Sequence, residues 1–270
     1  MRENRTQGSV RGRSGNWPSY LDGVRYTTPR GPDCLIRHGD DMSNRQASQG
    51  ELIRMVIVRL LMAVPVLFAI FFLPAGTLAY WEAWVYLSIL LIPLLCVSIY
   101  LLKKAPELLA RRMRMREKEA AQQLIVKLTY IPFVLAFLLP GFDNRFGWSN
   151  VPVGVVVVAD LVVLLGYGMV FLAFRENHYA SRIVEVEQGQ SVIRSGPYAM
   201  VRHPMYLGLL PLYILSPLAL GSYWAMLPAL LLIPFIVARI RNEERVLARD
   251  LPGYQEYMQK TRYRLIPGIW

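Results

Sequence analysis

The sequence predicts an all-α protein, a polytopic bundle of membrane-spanning helices. Of the 270 residues, 54% are hydrophobic and only 18% are charged, and the apolar residues are gathered in long uninterrupted runs. Several runs approach the length of about 20 residues that a helix needs to cross a bilayer. Basic residues flank these runs, as is typical of the cytoplasmic loops of membrane proteins.

About six spans follow from windows of roughly 17 to 25 apolar residues. They cover residues 55–73, 84–102, 124–139, 153–173, 205–220 and 223–238. The last two runs are near or below spanning length, so they are predicted to form one helical hairpin. Residues 1–50 are polar and contain no apolar run, which predicts a disordered cytoplasmic tail. Residues 51–270 are then a single membrane domain.

The distribution of Lys and Arg predicts the orientation. The link after the second predicted span is rich in both, whereas Arg145 is the only basic residue between positions 140 and 152. Both termini and the polar residues discussed below are therefore expected on the cytoplasmic face. The net charge of +11 favours contact with anionic lipid headgroups rather than nucleic acid, since it is spread over loops beside the membrane. Residues 111–118 mix both signs and are interpreted as an interfacial helix.

Cysteine and histidine are too sparse for a structural metal site. The two cysteines are Cys34 in the tail and Cys96 within a span, so neither a disulfide framework nor a Cys-based metal site is expected. The histidines, His38, His178 and His203, are widely dispersed, and no structural zinc is expected.

A cationic and aromatic cluster stands at the start of the fifth apolar run, where Arg202, His203, Pro204, Tyr206 and Gly208 follow one another closely. One interpretation is an interfacial anchor, with the arginine reaching the headgroups and the proline opening a helix. The other is a binding site. The free backbone N–H groups of a helix that begins at Pro204 suit a carboxylate, and ionisable residues near a membrane often have a function.

Two further pairs have alternative interpretations. Gly166 and Gly168 permit close helix packing, or they flatten a surface for a planar ligand. Glu243 and Glu244 follow the last apolar run and form either surface ion pairs or a ligand site. Adjacent carboxylates on a helix face different ways, so if one binds a ligand, the other is expected to orient an arginine. Beyond them, Tyr254 and Tyr257 are interfacial anchors or part of a lid.

These motifs together resemble the superfamily of isoprenylcysteine carboxyl methyltransferases and phospholipid methyltransferases. The resemblance rests on Arg-His-Pro-x-Tyr-x-Gly, an apolar hairpin, Arg-Ile-x-x-Glu-Glu and Gly-x-x-x-Tyr, and it extends from Val153 to the C-terminus. It implies an integral membrane enzyme that uses S-adenosylmethionine, with the cofactor on the cytosolic side beneath a C-terminal helix. The hydrophobic or lipid-like methyl acceptor is expected to enter from the bilayer.

The resemblance implies a role for each matching position. Gly166 and Gly168 match a Gly-x-Gly cofactor motif, and Glu243 and Glu244 match paired cofactor-binding glutamates. The other cofactor positions it implies are His203, Pro204, Tyr206, Gly208 and Tyr254. Arg239 falls where an arginine orients the acceptor carboxylate, with Arg202 as a second candidate for that catalytic role. Pro252 precedes Gly253 where many relatives have an aromatic residue.

The acceptor stays open, although an isoprenylcysteine-type carboxylate is favoured over a phospholipid amine or a thiol. A protonated amine needs a base, for which His203 or a carboxylate could serve. Two other classes are a sterol-reductase-like enzyme that uses NADPH and a non-catalytic membrane scaffold. A transporter is disfavoured because the middles of the spans are nearly free of ionisable groups. The exception is Asp160, which is interpreted as a packing residue.

Overall fold

The computed structural model describes residues 33–113, 120–180, 186 and 189–270. The chain divides into two units, Met1–Ala47 and Ser48–Trp270. In the described part of the chain the long regular elements are all α-helical, which confirms the predicted class. The helices are α1 Asp33–Ala75, α2 Trp81–Lys104, α3 Pro106–Met113, α4 Ala120–Phe146, α5 Val153–Glu176, α6 Pro204–Ile214, α7 Ser216–Ala219, α8 Met226–Leu230, α9 Leu232–Asp250 and α10 Tyr254–Lys260.

Four stretches of the described helices are long and apolar enough to cross a bilayer, and they identify an integral membrane protein. They are Gly50–Ala75, Trp81–Lys104, Ala121–Phe146 and Val153–Glu176. Each contains one of the first four predicted spans. Their outward side chains, such as Leu61, Ile92 and Leu165, are exposed, which suits contact with lipid because hydrocarbon is as apolar as they are.

The two remaining apolar runs form an interrupted hairpin. Among the described helices, Pro204–Ile214 is the apolar helix of intermediate length, and Pro217 and Pro228 lie in the short helices α7 and α8. Proline removes a backbone donor and disturbs the preceding turn, which explains why these runs are broken. The turn between α7 and α8 is made at Gly221, whose φ is 72°.

A buried carboxylate fixes this turn to the bundle. Asp143, 1% exposed, accepts hydrogen bonds from the Ser149 backbone N–H at 2.7 Å, the Ser149 hydroxyl at 2.6 Å and the Ser222 hydroxyl at 2.5 Å. The Tyr80 hydroxyl donates to the Leu220 carbonyl at 2.5 Å. Because these groups are satisfied, the end of the hairpin is locked to α4 and to the start of α2.

The first helix begins earlier than the sequence suggested. A polar tail was expected up to residue 50, but α1 already includes residues from Asp33 onward. Most of the expected tail, residues 1–32, lies outside the described residues. So do residues 114–119, which make up most of the predicted interfacial helix; its start at 111–113 belongs to α3.

Candidate active site

A cavity of about 630 Å³ lies between α4, α6, α9, α10 and the segment that follows α5. Its lining changes from polar to apolar along two helices. At α6 the lining residues are His203, just before the helix, then Tyr206 and Leu209; at α9 they change from Glu243 to Phe235. The cavity therefore has a polar end and an apolar end, a combination typical of ligand sites of this size.

Three side chains at the polar end form one hydrogen-bonded chain. The Tyr206 hydroxyl donates to Oε2 of Glu243 at 2.8 Å and accepts from Nε of Arg239 at 2.9 Å. All three residues line the cavity, and Tyr206 is buried. The sequence prediction placed these residues together, and the structure brings them together through the pairing of α6 with α9. One tyrosine thus positions both an anion and a cation at the cavity wall.

Glu244 faces away from this chain and pairs with two arginines. Its Oε1 accepts from Nε of Arg202 at 2.6 Å, and its Oε2 accepts from Nε of Arg264 at 2.7 Å. Burial raises the pKa of the Glu244 carboxyl, but its contacts with His203, Arg202 and Arg264 outweigh burial and lower the pKa to about 2. Its side chain is 7% exposed and does not line the cavity. The two glutamates face different ways, as expected, and it is Glu244 that orients an arginine.

Arg202 lines the cavity, and it also fastens the C-terminal segment. Its Nη1 donates to the carbonyls of Thr261 at 2.8 Å and Arg262 at 2.9 Å, in addition to the Nε contact with Glu244. Its backbone N–H also donates to the Tyr263 carbonyl at 2.9 Å. Because Nε and Nη1 are engaged in these contacts, Arg202 acts here as a positioning residue.

Two polar atoms at the cavity are buried without a hydrogen-bond partner, the Tyr254 hydroxyl and Nε2 of His203. Nε2 lies 3.4 Å from Oε1 of Glu244. The His203 ring packs edge-on against the Tyr206 ring, with centroids 5.8 Å apart. Buried polar groups normally have partners, so the Tyr254 hydroxyl is available to a ligand, whereas Nε2 of His203 faces the Glu244 carboxylate.

The helix α10 closes the polar end of the cavity. Tyr254 and Tyr257 line it from α10, and the Tyr257 hydroxyl donates to the Tyr198 carbonyl at 2.7 Å. Burial raises the pKa of Tyr257 to about 12, so its hydroxyl stays protonated and remains a donor at neutral pH. The helix follows Gly253, whose φ of 81° suits glycine. The expected C-terminal helix over the pocket is present.

Two of the three glycines, Gly166 and Gly208, pack helices, and none of the three lines the cavity. A Cβ on Gly166 would lie 2.5 Å from the Gly208 carbonyl oxygen, and a Cβ on Gly208 would lie 2.5 Å from that of Gly166. Gly168 is exposed, and a Cβ on it would meet no atom within 4 Å. None of the three, nor Pro204 at the first turn of α6, lines the cavity. Close approach of α5 and α6 explains Gly166 and Gly208, and it explains neither Gly168 nor Pro204.

Several cavity residues were not singled out by the motifs. Asn177 and Tyr179 reach the cavity from the segment after α5, and Arg112 reaches it from α3. Tyr198 had a signal, because the Gly-Pro-Tyr turn at 196–198 precedes the cationic cluster. Arg112 had none, since only packing of α3 brings it there. Among the described residues no group of three or more His, Cys, Asp or Glu side chains could hold a metal ion.

Comparisons with known proteins agree with this geometry. The model of the isoprenylcysteine carboxyl methyltransferase family matches residues 156–249, the stretch that holds α6, α9 and the Glu243 chain. The cobalt-zinc-cadmium resistance protein CzcN of Cupriavidus metallidurans is 31% identical over 137 residues, which is 48% of this chain and 57% of that protein. The chain therefore spans little more than half the length of this curated relative. Residues 156–249 of the chain are therefore similar to the isoprenylcysteine carboxyl methyltransferase family.

Proposed function

We propose that this protein transfers a methyl group from S-adenosylmethionine to a hydrophobic acceptor, with a carboxylate acceptor favoured. One observation carries the proposal: a single cavity joins the polar chain of Glu243, Tyr206 and Arg239 to an apolar wall formed by α4, α6 and α9. A charged cofactor and an apolar acceptor need these two environments side by side.

The polar end has groups that fit the cofactor. The side chain of Glu243 is 23% exposed, and it offers a carboxylate to the amine on the methionine moiety of S-adenosylmethionine. The unpartnered Tyr254 hydroxyl suits a ribose or adenine hydrogen bond, and the His203 ring lines the same cavity. The aromatic rings of Tyr198 and Tyr257 supply apolar contacts beside them. When bound, the cofactor supplies an electrophilic methyl group on a sulfonium.

Arg239 is the residue proposed to orient the acceptor. Its Nε contact with Tyr206 fixes the guanidinium at the point where the lining turns from polar to apolar. A carboxylate head held there leaves its hydrocarbon part against Phe235 and Phe133. A carboxylate is already nucleophilic, so the residues contribute position and exclusion of water rather than a base.

A phospholipid amine or a thiol is the alternative acceptor, and an amine needs a base that a carboxylate does not need. An amine has to lose a proton. Glu243 is the carboxylate that lines the described part of the cavity, and Tyr206 already donates to it. The favoured carboxylate needs no such base.

The test is transfer of tritiated methyl groups by membranes that contain the full chain. The acceptors are N-acetyl-S-farnesylcysteine, phosphatidylethanolamine and dodecanethiol. We expect a product from the first whose label is released by alkali, because esters are alkali-labile and methylated amines and thioethers are not. Arg239→Gln should raise the acceptor concentration that gives half-maximal transfer by roughly tenfold. The matched control is Arg241→Gln, since Arg241 is exposed. Absence of transfer to all three acceptors from folded protein contradicts the proposal.

A further inference from the structure

Arg112 is a further cation at the cavity, beside Arg202 and Arg239, and it comes from outside the family-matched region. It lies near the end of α3, whereas the match covers residues 156–249. Its side chain lines the same cavity as Arg239. The two arginines flank the first turn of α6, because Arg112 contacts Met205 and Arg239 contacts Tyr206, the next residue.

Three neighbours hold the Arg112 guanidinium in place. Its carbon lies 4.3 Å from the centroid of the Phe174 ring, a cation–π contact. Its Nη1 donates to the Ala180 carbonyl at 3.1 Å and lies 3.5 Å from the sulfur of Met205. The guanidinium is therefore oriented by α5, by the segment after α5 and by α6, which lowers the entropic cost of binding a ligand group.

The N-terminal helices explain why α3 lies there. Leu108 and Leu109 of α3 are 1% and 6% exposed, and they belong to one apolar cluster with Val170 and Phe174 of α5. Leu101 of α2 and Leu52 and Val56 of α1 complete that cluster. The helices α1 and α2 thus have a role that the motifs did not reveal: they hold α3 against α5 and so place Arg112 at the cavity.

We infer that Arg112 is a specificity-determining residue that, together with Arg239, selects methyl acceptors carrying an anionic head group, a carboxylate or a phosphate. This inference rests on the proposed function. A guanidinium is planar, and the fork geometry of its N–H donors matches both groups. A neutral acceptor with the same hydrocarbon part gains nothing from Arg112. The N-terminal part of the chain therefore contributes, through Arg112, to the choice of acceptor class.

Binding to the full-length protein in detergent tests this inference without requiring turnover. The probes are dodecanoate, dodecyl phosphate and dodecanol, titrated calorimetrically in the presence of S-adenosylhomocysteine, with detergent-only titrations subtracted. The variants are Arg112→Gln and Arg112→Lys. The matched control is Arg175→Gln, because Arg175 is exposed and adjacent to Phe174 but does not line the cavity. Melting temperatures establish that each variant is folded.

We expect Arg112→Gln to weaken binding of at least one of the two anions by roughly tenfold or more and to leave dodecanol within about twofold. Loss for dodecanoate alone identifies a carboxylate as the recognised group, and loss for dodecyl phosphate alone identifies a phosphate. Arg112→Lys should recover only part of the affinity, because a lysine lacks the fork. The inference is overturned if both anions bind Arg112→Gln as tightly as the parent, or if dodecanol is weakened equally. Failure of the proposed function is a separate result: S-adenosylhomocysteine then fails to bind any variant, while the comparison of anions with alcohol still decides the role of Arg112.

Discussion

The two adjacent glutamates on α9 have different environments and therefore different roles. Glu243 lines the cavity and accepts from Tyr206, whereas Glu244 is buried between Arg202 and Arg264. The paired-glutamate motif predicts both residues, but it does not distinguish them. The distinction comes from the C-terminal segment, which covers one carboxylate and leaves the other facing the cavity.

Glu244→Gln should destabilise the protein, and Glu243→Gln should not. Removing the charge of Glu244 leaves the buried Arg202 guanidinium without its counter-ion, a loss of about 3 kcal/mol. Melting temperature in detergent measures it. We expect a fall of several degrees for Glu244→Gln and little change for Glu243→Gln, which removes a partly exposed charge. Equal melting temperatures for the two variants would show that the arginine contacts of Glu244 add nothing to stability.

Protonation of the Glu244 carboxylate should destabilise the protein at low pH. The pKa of Glu244 is about 2 in the folded protein and 4.5 in its ordinary environment. A lowered folded-state pKa means that the stabilisation is fully present above about pH 4.5 and is lost as the pH falls towards about 2. The melting temperature of the parent should therefore drop through this window, and that of Glu244→Gln should drop less. Parallel curves for the two proteins would contradict the assignment.

Helix packing depends on two glycines that a sequence motif assigns to ligand contact. The spacing of Gly166 and Gly168 permits both interpretations, because a missing side chain is equally useful to a ligand and to a neighbouring helix. Only the position of α6 decides between them: Gly208 lies against Gly166, and nothing lies against Gly168. The sequence could predict the helix α5 but not which face of it meets α6.

The substitution Gly208→Ala should destabilise the folded protein, and Gly168→Ala should not. A Cβ at Gly208 meets the Gly166 carbonyl oxygen at 2.5 Å, the Val170 Cγ2 at 2.8 Å and the Val170 nitrogen at 2.9 Å. Overpacking of this kind costs about 1–3 kcal/mol, so Gly208→Ala should melt several degrees lower. Gly168→Ala should leave both melting temperature and cofactor affinity unchanged. A loss of cofactor affinity in Gly168→Ala, with normal melting, would restore the ligand interpretation.

The C-terminal segment is held by Arg202, which precedes α6, and by Glu244 of α9. Two of its arginines, Arg262 and Arg264, form a matched pair for mutation. Arg264 donates to Glu244 and lies 5.4 Å from the centroid of the Trp270 ring, whereas the Arg262 side chain is exposed. Arg264→Gln should loosen α10 and speed cofactor dissociation, measured by stopped-flow displacement with excess unlabelled ligand. Arg262→Gln should dissociate at the parent rate. Faster release in both variants would remove the specific role of the Arg264 contact.

At the scale of the whole molecule, the long helices and the hairpin were predictable, but the breaks within the hairpin were not. Runs of apolar residues fix the four long stretches because length and hydropathy suffice for them. Pro217 and Pro228 were visible in the sequence, but how far they break the hairpin depends on its packing against α4 and α5. Recognition of the motif placed His203, Tyr206, Arg239, Glu243 and Tyr254 at the cavity. It could not place Arg112, which depends on contacts between distant helices.

The charge pattern predicts that the cavity faces the cytoplasm. The cavity lies beside the start of α4 and the end of α5, because Gln122 donates to the Arg239 carbonyl at 3.3 Å and Asn177 lines the cavity. In a background with Cys34→Ser and Cys96→Ser, an impermeant maleimide should label Asn150→Cys in intact cells and Gln259→Cys only after permeabilisation. Both positions are exposed. The reverse pattern would place the site on the other face.

The most direct measurement is a calorimetric titration of the purified protein with S-adenosylmethionine and S-adenosylhomocysteine. The parent should bind both, and Glu243→Gln should bind them at least roughly tenfold more weakly. The control Glu256→Gln should bind as the parent does, because Glu256 is an exposed glutamate that does not line the cavity. Absence of binding to folded parent protein, or equal binding by Glu243→Gln, would contradict the account, and NADPH would then be titrated to test the reductase alternative.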